Sequence, residues 1–130
     1  PSYAGAESPP NLGDGSITET PGLGGFARAA SPGIDQFLGR PPADAIARRQ
    51  EMQPITIGRN ISLTIPALDF GGTAAGIDVR KVVDTGILPI INTGIAHKDA
   101  GVGQIGAGIT RAPMTCFTKA ISALSEKIDG

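Results

Sequence analysis

The stretch from Asn92 to Arg111, NTGIAHKDAGVGQIGAGITR, decides how this chain is to be read. It holds the sole histidine, His97, the cations Lys98 and Arg111, and glycines at 101, 103, 106 and 108, between an apolar run and the most periodic helical pattern in the sequence. GVGQIGAG satisfies the G-x-G-x-x-G spacing of dinucleotide-binding α/β folds. In that fingerprint, however, the helix begins inside the glycines and an acidic residue follows roughly 20 residues later at the end of the next strand. Here Ile109, Thr110, Arg111 and Ala112 intervene before a proline-started helix, and Glu126 lies within that helix. No G-K-[ST] closes the run, so it is not a P-loop either. The stretch gives no support for a doubly wound parallel sheet.

Working outward, Pro113 starts a helix in which Met114, Phe117, Ile121, Leu124 and Ile128 recur at three and four, a full core-facing stripe. On the other side, Leu88 to Thr93 reads as a buried strand. Asp78 suits the N-cap of a short helix through Val83, with Gly86 as its stop. Ile55 to Ile57 and Ile61 to Ile65 alternate as half-buried strands do, with Gly58-Arg59-Asn60 as the turn of a hairpin and Pro66 ending it. Pro42 to about Gln53 is a helix with a thin apolar face, Ala43, Ile46, Ala47 and Met52, and so is expected at the surface. Leu23, Phe26, Ala27, Ala30, Ile34, Phe37 and Leu38 have helical spacing, with a kink at Pro32 or a new start capped by Ser31. These elements do not alternate as βαβ units. The expected class is α+β, with short helices, a small mixed or antiparallel sheet and a long amphipathic C-terminal helix.

Residues 1–15 carry few large apolar side chains and are read as a linker or extended arm, leaving 16–130 as the domain. The chain opens on a proline without an initiator methionine, which reads as a piece of something longer. Its 19 glycines and 11 prolines approach the low-complexity range, but they punctuate periodic segments and mark turns. Basic and acidic residues number 11 and 12 and are interspersed, with one tyrosine and no tryptophan, which argues against a nucleic-acid surface. The longest apolar run, Ile87 to Ile91, falls far short of the ~20 residues that span a bilayer, and no signal segment opens the chain, so a soluble cytoplasmic protein without membrane contact is expected. The lone Cys116 excludes an internal disulfide and reads as a small apolar residue on a helix.

The chemistry of the 92–111 stretch favours an anion. Successive glycine N–H groups can form a nest for phosphate or carboxylate oxygens, and Lys98 and Arg111 add charge, Arg111 as a bidentate fork. Asn92, Thr93, Gly94 and Gln104 would complete the binding set with Gly101, Gly103 and Gly106, and His97 would donate to a carbonyl oxygen or move a proton. The plain alternatives are a surface histidine in a turn and glycines that serve tight turns with close backbone packing. A second cluster, SITETPGLGG from Ser16 to Gly25, is either helix capping by Thr18 or Thr20, or a second wall in which Glu19 is a buried carboxylate beside Thr20. A third, Asp69 to Thr73 with Asp78 nearby, is a turn or a site loop to which Asp69 would contribute. Asp69 and Asp78 lack a calcium-loop ladder, and no metal or other cofactor is expected.

Three stretches carry a resemblance. GDGSITETPGLGGFARAASPGI, IPALDFGGTAAGIDVRKV and TGILPIINTGIAHKDAGVGQIGAGITRAPMTCFTKAI are similar, in this order, to the C-terminal part of the bacterial YahG/YlbE-like family, long of unknown function. Members are several hundred residues long. The resemblance implies association with the AllG-type subunit of oxamate carbamoyltransferase in allantoin degradation. That enzyme interconverts oxalurate plus phosphate with oxamate plus carbamoyl phosphate and works with other subunits. The Ser-x-Arg-Thr phosphate loop of ornithine and aspartate carbamoyltransferases is absent, so their residue roles do not carry over. The other expectation is a non-catalytic domain for structure or subunit assembly.

Overall fold

A computed structural model of the chain describes residues 5–10, 15–31, 33 and 41–129. Its helices are α1 (Gly15–Glu19), α2 (Pro42–Met52), α3 (Val79–Thr85) and α4 (Met114–Asp129). Its strands are β1 (Thr56–Ile65), β2 (Gly71–Ile77), β3 (Ile90–Ala96) and β4 (Gln104–Arg111). They form two antiparallel hairpins, β1 with β2 and β3 with β4. The class is α+β, as expected.

Local chemistry explains the helix ends. Pro42 sits in the first turn of α2, where its missing N–H costs nothing, after an extended Pro41. Asp78 caps α3 by accepting from the Arg80 N–H at 2.9 Å, and Gly86, at φ 72°, closes it by donating to the Val82 carbonyl at 3.0 Å. The core consists of Phe26, Met52, Ile55, Ala74, Val82 and Ile90, all fully enclosed, with Ile77, Ile109 and Phe117 packed partly against it.

The C-terminal turn of α2 braces both hairpins. Arg49 Nη2 donates to the Gly72 carbonyl on β2 at 3.0 Å, and Glu51 Oε1 accepts from Arg111 Nη2 on β4 at 2.6 Å. The Ile90 N–H on β3 donates to Met52 Sδ at 3.3 Å. The buried stripe of this helix is therefore Ala45, Arg49 and Met52 at helical spacing, while Ala43 and Ala47, expected on the apolar face, are exposed.

Three further expectations are corrected. Gly58, Arg59 and Asn60 are not a turn: they pair with Ala75, Ala74 and Thr73 inside one ten-residue strand. The composition is turn-like, but the reversal comes later, through a 3-10 turn at Pro66–Leu68 and left-handed Asp69 and Phe70 at φ 50° and 55°. What remains of the irregularity is a register shift between Asn60 and Thr64, where Asn60 Oδ1 accepts from the Ser62 N–H. The helix expected from Leu23 begins instead as turns followed by a 3-10 turn, Arg28–Ala30, because Gly22 and Gly24 take φ 96° and 93°. Pro32, Ile34, Phe37 and Leu38 lie outside the described residues. Finally, α4 is not core-facing throughout. Met114, Phe117 and Ile121 are half-buried, whereas Leu124 is 45% and Ile128 73% exposed.

No helix among the described residues is long and apolar enough to cross a membrane.

Candidate functional site

The decisive stretch is a β-hairpin. Register runs from Ile90 opposite Arg111 to Ala96 opposite Gln104, so Gly106 and Gly108 are strand residues and only Gly101 and Gly103 belong to the turn. Those two take φ 86° and 85°, and a Cβ on either would meet nothing within 4 Å. They serve the backbone conformation of a tight turn, as the plain alternative has it, and the space beside them is open.

At this tip the His97 N–H donates to the Gly103 carbonyl at 2.9 Å, and the Lys98 N–H to the Glu7 carbonyl at 2.7 Å. The Asp99 N–H donates to His97 Nδ1 at 2.9 Å. Nε2 lies 3.8 Å from a Glu7 carboxylate oxygen, and Nδ1 3.7 Å from Asp99 Oδ2. Gln104 Nε2 donates to the Gly106 carbonyl at 2.8 Å, and Thr93 Oγ1 to the Gly94 carbonyl at 3.1 Å. Gln104 also lies beside Gly94, where an added Cβ would approach its amide at 3.5 Å.

A second cluster sits midway along β3. Glu19, the last residue of α1, is 2% exposed, as the buried-carboxylate reading requires. The Gly25 N–H donates to both its oxygens at 2.9 Å, and the Asn92 N–H to Oε1 at 2.7 Å. Burial raises its pKa from the ordinary 4.5, while the N–H bonds from Asn92 and Gly25 pull it down. Gly24 permits the clasp, since a Cβ there would lie 2.5 Å from Oε1. The loop is sewn to β2 by bonds from the Gly76 and Ile77 N–H groups to the Pro21 and Thr20 carbonyls. Thr20 itself is exposed.

Arg111 forms a third position at the far end of the hairpin. It donates to the Leu88 carbonyl at 2.7 Å and pairs with Glu51. At ~3.3 Å per strand residue, Arg111 and His97 are about 20 Å apart. One small anion cannot touch both. The structure thus joins Glu19 to Asn92, and His97 to Gly103, with Lys98 and Gln104 next to these in sequence, and places Arg111 at the base of the hairpin. Asp69 stands exposed on the turn of the other hairpin.

Sequence reasoning passed over Arg49, which is 6% exposed and donates to two neutral acceptors, the Gly72 carbonyl and Gln53 Oε1 at 3.1 Å. Burial, and then the positive charge of Arg59, lower its pKa. The available signal was its place between Ala45 and Met52 on one helical face. Two adjoining depressions lie between α3 and α4, of about 420 Å³ and about 220 Å³, sharing Arg80 and Ile121. None of the residues lining them belongs to the hairpin. Among the described residues no three His, Cys, Asp or Glu side chains converge.

No family model matches the chain. It is 50% identical over 127 residues to the oxamate carbamoyltransferase subunit AllG of Escherichia coli (strain K12), covering 97% of this chain and 30% of AllG. It is 49% identical over 125 residues to the uncharacterized protein YahG of the same strain, covering 96% of this chain and 26% of YahG. A crystal structure of a conserved protein of unknown function from Enterococcus faecalis V583 matches with a TM-score of 0.84 at 48% identity, over 96% of this chain and 30% of that one. The resemblance carried by the three stretches therefore extends over nearly the whole chain. The chain spans under a third of the length of the relatives it matches.

Proposed function

We propose that this chain is a section of a carbamoyltransferase subunit that interconverts oxalurate plus phosphate with oxamate plus carbamoyl phosphate, and that it meets its anionic substrate at the β3–β4 tip. The observation that carries the reading is the 50% identity to AllG over 127 residues. In this reaction a phosphate oxygen attacks the carbamoyl carbon of oxalurate, the bond to the oxamate nitrogen breaks, and that nitrogen takes up a proton. The open Gly101–Gly103 turn supplies N–H groups for phosphate or carboxylate oxygens, with Lys98 as the nearby charge. His97 donates to the carbamoyl oxygen or to the departing nitrogen. Asn92, Thr93 and Gly94 on β3 and Gln104 on β4 shape the hairpin that carries the tip. Glu19 holds that strand through Asn92, and Arg111 is a structural clamp to α2.

The test is carbamoyl phosphate formation from oxalurate and phosphate by the full-length subunit with its partner subunits. His97→Ala and Lys98→Ala are each expected to lower the rate about a hundredfold. Arg111→Ala is expected to lower the melting temperature and leave the Michaelis constants near wild type. Survival of both tip variants within about tenfold, ~1.4 kcal/mol, overturns the assignment. A second reading, an assembly domain without substrate contact, is favoured by the open apolar side of α4, and that same survival would be its signature.

A further inference from the structure

The exposure of α4 rises steadily along one face, from half-buried Phe117 and Ile121 to Leu124 at 45% and Ile128 at 73%. Its first turns pack against the core while its last two carry the same apolar stripe into solvent, next to the two joined depressions between α3 and α4. Contiguous apolar surface beside a groove marks a site that another surface covers. The rim is polar and mixed in charge, with Arg80, Lys81 and Asp84: the Arg80 side chain is 76% exposed although it holds Asp78 at 2.7 Å, and Lys81 Nζ donates to the Thr56 carbonyl at 2.7 Å.

What covers this face is indicated by length. In AllG, YahG and the Enterococcus protein the matched region is at most 30% of the polypeptide, so the counterpart of α4 has more than two thirds of a chain to pack against. We propose that in the full-length subunit the outer face of α4 and the adjoining groove receive an apolar segment of the same polypeptide, from outside these 130 residues. Intrachain packing of this kind resembles a domain interface, apolar at its centre and polar at its rim. The inference does not depend on which reaction the subunit performs.

Maleimide labelling of the native full-length subunit tests it. Leu124→Cys and Ile128→Cys, in a Cys116→Ser background, are compared with Lys119→Cys on the opposite side of the helix. The two face positions should react more than about tenfold slower than Lys119→Cys, unchanged by dilution and without added subunits. A photoreactive residue at Leu124 should cross-link to a peptide of its own chain lying outside the matched region. Equal labelling rates overturn the proposal. So does labelling that accelerates on dilution, which would make the occupant a second copy, or protection that requires another subunit. If the cysteine variants fail to fold, the cross-link still decides: one confined to residues 1–130 or to another chain overturns the proposal.

Discussion

Glu19 shows how much one residue can organise. A carboxylate at 2% exposure is costly unless its lone pairs are met, and here backbone N–H groups from the adjoining loop and from distant β3 meet them. Glu19→Gln keeps the size but turns one acceptor into a donor facing N–H groups, and should destabilise by ~1–3 kcal/mol in denaturant unfolding at neutral pH. The pH dependence has a definite sign. Because burial raises the pKa of the folded state above the ordinary 4.5, the native form binds more protons than the unfolded one just above that value, and the contribution of Glu19 to stability falls as pH rises through the folded pKa. Glu19→Gln should lack that decline; identical profiles for variant and wild type would refute the assignment. Gly24→Ala should cost more than Gly101→Ala, since both have positive φ but only the first drives a Cβ to 2.5 Å from a fixed oxygen.

Elements whose ends are written in local chemistry were legible: Pro42 opening α2, Asp78 and Gly86 bounding α3, and Pro113 preceding α4. The Arg80 side chain, bonded to the Asp78 carboxylate, holds its pKa down to about 2. Its stabilising effect on α3 is complete above the ordinary 3.8 and is lost as pH falls through about 2. Melting temperature followed from pH 4 to pH 2 should therefore drop less in Asp78→Asn than in wild type, and parallel curves would count against the cap. Elements defined by a distant partner were not legible. Gly58-Arg59-Asn60 has the composition of a turn, and only the presence of β2 alongside makes it strand. Likewise, the glycines of the 101–108 run divide between turn and strand according to pairing with β3, which spacing alone does not encode.

At the scale of the whole molecule, α2 joins two sheets that share no hydrogen-bonded strands. Arg49, Glu51 and Met52, within one helical turn, reach β2, β4 and β3. The candidate site depends on similarly remote pairings. Glu19 and Asn92 are 73 residues apart in sequence, and Glu7 meets the hairpin tip across a still longer span. A reader of the sequence could name Glu19 and Asn92 separately, but the clasp between them follows from tertiary packing. The same packing separates His97 from Arg111, which proximity in sequence had placed around one ligand.

The sulfur of Met52 is both wholly enclosed and occupied by the Ile90 N–H, which makes it a clock. Peroxide converts a thioether to a sulfoxide only on contact, and the added oxygen has no room while α2 is seated. Half-buried Met114 should oxidise first, in the intact protein, whereas Met52 should oxidise only as fast as the molecule opens. Peptide mapping after timed peroxide exposure measures both. Met52 keeping pace with Met114 would mean that the brace lifts away long before the rest of the fold is lost.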